Sequence, residues 1–270
     1  MKQKYLIALD LDGTLLTDEK TITPKTRAFF NKLDKEGHHI VIATGRPLRA
    51  AFEFQKQLDV KAPLVTHNGV LISNPHEEDF LTHAITFDRN VLQAIVAELG
   101  YEIFENLMIE TENTVYLLYE DDELNTFFWN DRGNIVYGDP FLNINEDPLT
   151  LIFLFKRIDA KTRKLVQEVV KKNSDYKIRF WGTLPYAELY QDHGTKKDGV
   201  EHAANLLGIK RENVIACGDY FNDTEMLKWA GHSILMKNGA RELRSIASVI
   251  TRKDNNNDGL IAPIKKILRK

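Results

Sequence analysis

The chain has 270 residues and a mass of 31.1 kDa. At roughly 100–200 residues per domain, that means one large domain or two of ordinary size. Hydrophobic residues at 43% and charged residues at 28% exclude intrinsic disorder for most of the chain, because enough apolar surface is available to offset the entropy cost of folding. With 36 basic and 39 acidic residues, the net charge of −3 is too balanced for a dedicated nucleic-acid or acidic-membrane binder. Cys217 is the single cysteine, so no intrachain disulfide is available and oxidising export has no support. The apolar run near the start stops at Asp10, too soon for a signal-peptide core. No stretch approaches the roughly 18 apolar residues of a membrane span. The expectation is a cytoplasmic protein.

Taken in chain order, Tyr5-Leu6-Ile7-Ala8-Leu9 is an unbroken apolar run suited to a strand buried on both faces of a parallel sheet. A helix follows, with Thr23 as N-cap, Pro24 in its first turn and Gly37 as terminator. His39–Ala43 is a second strand, ending at Thr44-Gly45-Arg46. Pro47 opens a helix to about Leu58, and Leu64-Val65-Thr66 is a third strand closing on Asn68-Gly69. This β-α-β-α-β alternation is the pattern of a doubly wound sheet.

Residues from about 82 to 186 have a different texture. Strand candidates rich in aromatic residues occur at Thr114–Tyr119, Asn134–Tyr137, Leu149–Lys156 and Tyr176–Trp181. Helices are predicted at Asp88–Leu99 and Asp159–Lys172. Strands without regular helical alternation imply an antiparallel α+β module. The α/β alternation then returns. A helix is predicted from Lys196 to Leu207 with Gly208 beyond it, then the strand Val214–Cys217, which ends at Gly218-Asp219. A helix over Thr224–Ala230, a strand at Ser233–Met236, a helix from Ala240, a strand at Val249–Thr251 and a closing helix from about Leu260 complete the chain.

The chemistry-bearing residues sit at the predicted strand ends. Asp10-Leu11-Asp12-Gly13-Thr14 lies at the carboxyl end of the first strand, the edge where open parallel sheets bind ligands. Strand period puts Asp10 and Asp12 on one side. Two adjacent carboxylates repel, and a divalent cation such as Mg²⁺ resolves the conflict. Gly218-Asp219-Tyr220-Phe221-Asn222-Asp223 repeats this logic at another strand end. Thr44-Gly45-Arg46-Pro47 offers a hydroxyl, a free N–H and a helix N-terminus to an anion. Lys196 and Lys197 open a helix, where a cation opposes the dipole unless an anionic ligand is present. Each segment also has a plain reading as a capped turn or a solvated lysine; together they suggest one site. Cys217 sits inside an apolar run and reads as core. His38-His39 reads as a helix-to-strand turn. Glu120-Asp121-Asp122-Glu123 reads as a solvated turn.

The four segments resemble, in order, the four motifs of the haloacid dehalogenase superfamily of phosphatases. Ala43-Thr44-Gly45-Arg46-Pro47, Asn68-Gly69, Gly218-Asp219-…-Asn222-Asp223-…-Met226-Leu227 and Asn255-…-Asp258-Gly259 are similar to the Cof-type branch. The resemblance implies an α/β fold: a doubly wound, Rossmann-like parallel-sheet core from 1–81 and 187–270, with an α+β cap inserted at 82–186. It implies that Asp10 is the nucleophile forming an aspartyl-phosphate. Asp12 would protonate the leaving oxygen and then deprotonate water. Asp10, the carbonyl of Asp12 and Asp219 would hold Mg²⁺, supported by Asp223. Thr44 and Lys196 would bind phosphoryl oxygens, with Gly45 N–H and Asn222 assisting. The branch usually has glycine directly after the lysine. Here Lys196-Lys197-Asp198-Gly199 departs from that pattern, so Lys196 is chosen on spacing and Lys197 is the fallback.

The implied activity is Mg²⁺-dependent hydrolysis of small phosphomonoesters, such as sugar phosphates or phosphorylated cofactors. The expected partner is a small phosphorylated metabolite rather than nucleic acid or membrane, and the expected state is a monomer or weak homodimer. Three rivals stand beside it: a phosphotransferase or phosphomutase on the same nucleophile, a non-catalytic binding or regulatory homologue, and a nucleic-acid-directed phosphatase, which the near-neutral charge disfavours. Cap aromatics available for substrate contact are Phe127, Phe128, Trp129, Tyr137, Phe141, Trp181 and Tyr186, most of them expected to be ordinary core.

Overall fold

A computed structural model describes residues 3–269 of the chain. β1 (Leu6–Leu9) is buried along its whole length, as an uninterrupted apolar run demands. α1 (Pro24–Lys35) starts where the Thr23 hydroxyl accepts the Thr26 N–H at 3.1 Å, and the chain leaves it at Gly37 with φ 84°. β2 (His39–Ile42), α2 (Leu48–Leu58), β3 (Leu64–Thr66) and β4 (Leu71–Ser73) follow. The middle holds β5 (His83–Ala84), α3 (Arg89–Leu99), β6 (Phe104–Glu110), β7 (Thr114–Leu117), α4 (Asp122–Phe127) and β8 (Asn134–Tyr137). It continues with α5 (Pro140–Asn143), β9 (Thr150–Phe155), α6 (Ala160–Asn173), β10 (Lys177–Phe180) and β11 (Tyr186–Tyr190). The last part holds α7 (Lys196–Leu206), β12 (Val214–Gly218), α8 (Thr224–Trp229), β13 (His232–Leu235), β14 (Val249–Ile250) and α9 (Ile261–Ile267).

The chain divides into two compact units, one from 1–83 and 195–270 and the other from 84–194. The first contains a five-stranded parallel sheet in the order β14-β13-β12-β1-β2. An isolated bridge between Ala43 and Val65 continues it toward β3. One face is covered by a core that includes Ile7, Leu9, Phe30, Leu58, Ile215 and Ile264. The other face packs Leu6, Ala8, Val41, Val200, Ala203 and Met226. Alternate residues of β1 serve opposite faces, so the strand must be apolar throughout. From β1 the chain builds outward to β2 on one side, and its later part builds β12 on the other. Such a reversal of strand order opens a crevice at the carboxyl ends of β1 and β12.

The second unit carries a six-stranded sheet in the order β10-β11-β9-β6-β7-β8. Its core on one side joins Leu92, Ile95, Phe153, Phe155, Val166 and Val170. On the other side Met108, Leu117, Leu124, Phe128, Ile152 and Leu154 pack together. Phe153 and Phe155 thus alternate with Ile152 and Leu154, as strand period requires.

Several expectations are corrected here. The expected boundary at 186/187 lies at 194/195, because β11 pairs with β9 and β10 and so belongs to the inserted sheet. The first boundary lies at 83/84 rather than 81/82. The inserted sheet is not wholly antiparallel, since β7 and β8 run parallel. β6, which no predicted strand covered, lies beside β9 near the middle of that sheet. The expected helix from Ala240 is a short 3₁₀ turn over Arg241–Ser245. The acid run opens α4, with the Asp121 carboxylate accepting the Leu124 N–H at 2.9 Å. Among the described residues, no helix is long and apolar enough to cross a membrane.

Candidate active site

The first carboxylate is positioned by β1. The Asp10 N–H donates to the Cys217 carbonyl at 3.1 Å, continuing the parallel pairing with β12 one residue past the strand. The chain then turns instead of extending. Leu15 N–H donates to Asp10 C=O at 3.2 Å and Leu16 N–H to Leu11 C=O at 2.9 Å, closing a wide turn. Gly13 makes the turn possible: its φ is 77°, and a Cβ there would stand 2.4 Å from Asp219 Oδ2. The chain leaves strand geometry within this turn, so alternation along β1 is not what places Asp12.

The turn is held from outside by the C-terminal asparagines. Asn238 Nδ2 donates to Gly13 C=O at 2.7 Å, and Asn255 Nδ2 donates to Leu16 C=O at 2.9 Å and to Asp18 Oδ1 at 3.0 Å. Asn255 N–H donates to Asn238 Oδ1 at 3.2 Å, which links the two supports. Asp258 Oδ1 accepts the hydroxyls of Thr23 at 2.5 Å and Thr26 at 3.0 Å. The Asn255-…-Asp258-Gly259 segment therefore braces both the turn after β1 and the start of α1.

Asp10, Asp219 and Asp223 each offer a carboxylate oxygen, and these atoms lie within 4.8 Å of one another. Lys196 reaches into the group from the first turn of α7. Its Nζ donates to Asp10 Oδ1 at 2.5 Å and to Asp223 Oδ1 at 2.7 Å, with the side chain only 1% exposed. Asp223 Oδ2 accepts the N–H groups of Asp219 at 2.9 Å and Tyr220 at 3.1 Å. Thr14 Oγ1 donates to Asp219 Oδ1 at 3.3 Å. Of the two adjacent lysines, Lys196 is the one that enters the cluster; Lys197 pairs with Glu201 at 2.5 Å and Asp198 at 3.3 Å. Close packing of α7 against the β3–β4 turn sets this placement. A Cβ on Gly199 would lie 3.0 Å from Gly69 Cα, and one on Gly69, at φ 107°, would lie 2.0 Å from Thr195 C=O.

Three carboxyl groups face one ammonium, and burial makes that imbalance costly. Burial pushes the Asp10 carboxyl well above the ordinary carboxylate range, with Asp223 and Asp219 adding to it against the opposing pull of Lys196. Burial, reinforced by Asp223, pushes Asp219 up to about 7. Burial works against the charged form of Lys196, yet Asp10 and Asp223 outweigh it and raise its pKa. Ionised together, the three carboxyls would hold more negative charge than the lysine balances. Its donors are all oxygen, and Gly13 and Gly218 let the Asp219 and Asp223 carboxyls approach the backbone closely. These residues fit a hard divalent cation of the Mg²⁺ type.

The other expected site residues occupy the same end of the sheet. The Asp12 carboxylate does not join the three others; it is held by Arg46, Nε to Oδ2 and Nη2 to Oδ1 at 2.7 Å each, and by Lys20 Nζ at 2.7 Å. Burial opposes ionisation of Asp12, but the Arg46 and Lys20 contacts win and lower its pKa. Thr44 is buried, and its hydroxyl accepts the Arg46 N–H at 3.1 Å. Asn222 Nδ2 donates to Asn68 Oδ1 at 3.0 Å, and a Cβ on Gly45 would lie 2.9 Å from that same oxygen. Asn68 thereby joins the Gly45 turn to the Asn222 turn. Cys217 is fully buried, and burial pushes its thiol up, which suits a core residue. Sequence reasoning had assigned no role to Arg46, Lys20, Asn68 or Asn238. The available signals were a cation inside the turn that ends a buried strand, Arg46, and the Asn68-Gly69 pair after the third strand.

Residues 7–264 match the family described as haloacid dehalogenase-like hydrolase. The chain belongs to that family. It is 31% identical over 263 residues, 97% of each chain, to a protein of Bacillus subtilis named 5-amino-6-(5-phospho-D-ribitylamino)uracil phosphatase YitU. A second protein of Bacillus subtilis with that activity in its name, YcsE, is 28% identical over 260 residues, 96% of this chain and 94% of the relative. A solved haloacid dehalogenase-like hydrolase from Bacteroides thetaiotaomicron superposes with a TM-score of 0.81 at 22% identity, covering 98% of this chain and 100% of that one. The haloacid dehalogenase-like chain described here is accordingly a phosphoric monoester hydrolase.

Proposed function

We propose that this phosphatase hydrolyses small phosphomonoesters through an aspartyl-phosphate on Asp10, with Mg²⁺ as its cofactor. The observation that carries the reading is the cluster of Asp10, Asp219 and Asp223: Asp10 and Asp223 are buried and joined by Lys196, and Asp219 lies half-buried beside them. Asp10, Asp219 and Asp223 would hold the ion, together with the carbonyl of Asp12. The cation would supply charge neutralisation for the phosphoryl oxygens.

This chain's own groups do the rest. An Asp10 carboxylate oxygen attacks phosphorus as the bond to the leaving oxygen breaks. In its protonated form Asp12 gives its proton to that oxygen, and the carboxylate so formed takes one from the water that hydrolyses the acyl phosphate. Lys196, already directed at Asp10, is available to a phosphoryl oxygen, as are the Thr44 hydroxyl, the Gly45 N–H and the Asn222 amide. Residues 84–194 correspond to the family's inserted cap. Phosphorylated ribitylaminouracil, named for the two relatives, leads the candidate substrates, followed by sugar phosphates.

The test is a panel of phosphorylated metabolites assayed with Mg²⁺ and ranked by kcat/KM, for the natural chain and Asp10→Asn. Turnover should require Mg²⁺ and vanish in the variant while its circular dichroism is unchanged. Substantial residual turnover by Asp10→Asn would sink the mechanism. A preference for sugar phosphates over the ribitylaminouracil ester would sink the substrate assignment alone.

A further inference from the structure

We infer that Arg46 is the positioning residue for Asp12, fixing by a two-point fork the orientation in which that carboxyl meets the leaving oxygen. The inference rests on the reading of Asp12 as proton donor and acceptor given above.

Three observations carry it. The fork is bidentate and short at both points, Nε to Oδ2 and Nη2 to Oδ1, each 2.7 Å. Two parallel bonds fix the plane of a carboxylate, which a single donor cannot do. The guanidinium is itself fixed: its side chain is 5% exposed, and its carbon lies 5.1 Å from the centre of the Phe54 ring. Its backbone N–H donates to the Thr44 hydroxyl, so one turn sets both an expected phosphoryl contact and the Asp12 fork. Finally, the held carboxylate keeps an open side. The Asp12 side chain is 39% exposed, leaving lone pairs beyond those used by Arg46 and Lys20. Lys20 also contacts Asp12, but its side chain is 56% exposed and offers one mobile ammonium. Such a group adds charge without fixing orientation.

A positioning role predicts a dependence on the leaving group. Protonation matters most when the departing oxygen is a poor leaving group, so misplacing Asp12 should slow alkyl phosphates far more than p-nitrophenyl phosphate. Loss of fold or of metal binding would slow both alike.

The experiment measures kcat and KM for an alkyl phosphate and for p-nitrophenyl phosphate with Arg46→Lys, Arg46→Ala, Lys20→Ala and Asp12→Asn, each checked by circular dichroism. Arg46→Lys keeps the charge and loses the fork, so it carries the test if Arg46→Ala does not fold. Expected is a fall in alkyl-phosphate kcat of roughly 10²-fold for the Arg46 variants, with a much smaller fall for the aryl ester and little change in KM. Millimolar guanidinium should partly restore Arg46→Ala, and Lys20→Ala should lose clearly less alkyl-phosphate turnover than Arg46→Lys. Equal losses on both esters, a raised kcat, or a Lys20→Ala effect as large as that of Arg46→Lys would overturn the proposal. Asp12→Asn separates the two readings. If it shows no leaving-group dependence, the role of Asp12 fails; if it does and the Arg46 variants do not, only the role of Arg46 fails.

Discussion

At the residue scale, the site is governed by how few positive charges face its carboxylates. Asp219 lies up at about 7 against an ordinary 3.8, so the folded chain binds a proton there that the unfolded chain has already released. Stability from this group is therefore present at low pH and falls as pH rises from about 4 to about 7. Chelator-treated protein should accordingly gain thermal stability from Asp219 between pH 7.5 and 5, and Mg²⁺ should flatten that gain because it binds the ionised form. Melting curves with chelator and with Mg²⁺, for the natural chain and Asp219→Asn, check this; an unchanged pH slope in the variant would refute it. Asp12 has the opposite shift, and its contribution is lost only as pH falls below 3.8, outside that window.

Lys196 gives a second prediction at this scale. Its ammonium is buried between two carboxylates, whereas that of Lys197 pairs with partly exposed acids. Lys196→Ala should abolish turnover and lower stability by roughly 3–5 kcal/mol, the cost of leaving a buried charge unpaired. Lys197→Ala should change stability by under about 1 kcal/mol and retain most activity. Urea denaturation and steady-state kinetics on the two variants separate them.

At the scale of elements, close backbone approaches decide where α7 delivers its lysine. A methyl on Gly69 would strike the Thr195 carbonyl, and the residue has positive φ. Gly69→Ala should cost about 1–3 kcal/mol and reduce kcat, because Thr195 directly precedes Lys196. The turn after β1 depends similarly on Asn255, whose amide holds Leu16 and Asp18. Asn255→Ala should lower the melting temperature and raise amide exchange over residues 11–18 ahead of the rest of the sheet. Exchange measured by mass spectrometry tests this, and uniform exchange across the sheet would contradict it.

On the scale of the whole molecule, the site is assembled by chain ends rather than by the middle. Asp10, Thr44, Lys196, Asp219 and Asp223 all belong to the unit formed by 1–83 and 195–270. The unit from 84–194 has its own sheet and core. A ligand that binds only the folded first unit stabilises that unit by mass action. Mg²⁺ should therefore slow amide exchange in β1, β12 and the turns after them, leaving β6 and β9 unchanged. Equal protection of both units would contradict the placement of all ligands in one.

Much of this was legible in the sequence for definite reasons. An apolar run ending in Asp10 specifies a buried parallel strand and the residue that follows it, because burial on both faces leaves no polar position inside. Thr23-Pro24 and Gly37 specify the bounds of α1, because capping is local chemistry. Distances between motifs specified that an insertion existed. Its end did not follow, because Tyr186–Tyr190 is placed by hydrogen bonds to β9, far away in the chain. β1 ends at Leu9 and the Leu11–Leu15 turn begins before Asp12, so period-two alternation does not reach that residue. The fork of Arg46 on Asp12, the brace from Asn238 and Asn255, and the entry of Lys196 between Asp10 and Asp223 are all long-range side-chain contacts. Residue types and local spacing determined which groups the protein carries at its strand ends. Only the tertiary structure decided which of them face one another, because that depends on the packing of segments that the sequence keeps far apart.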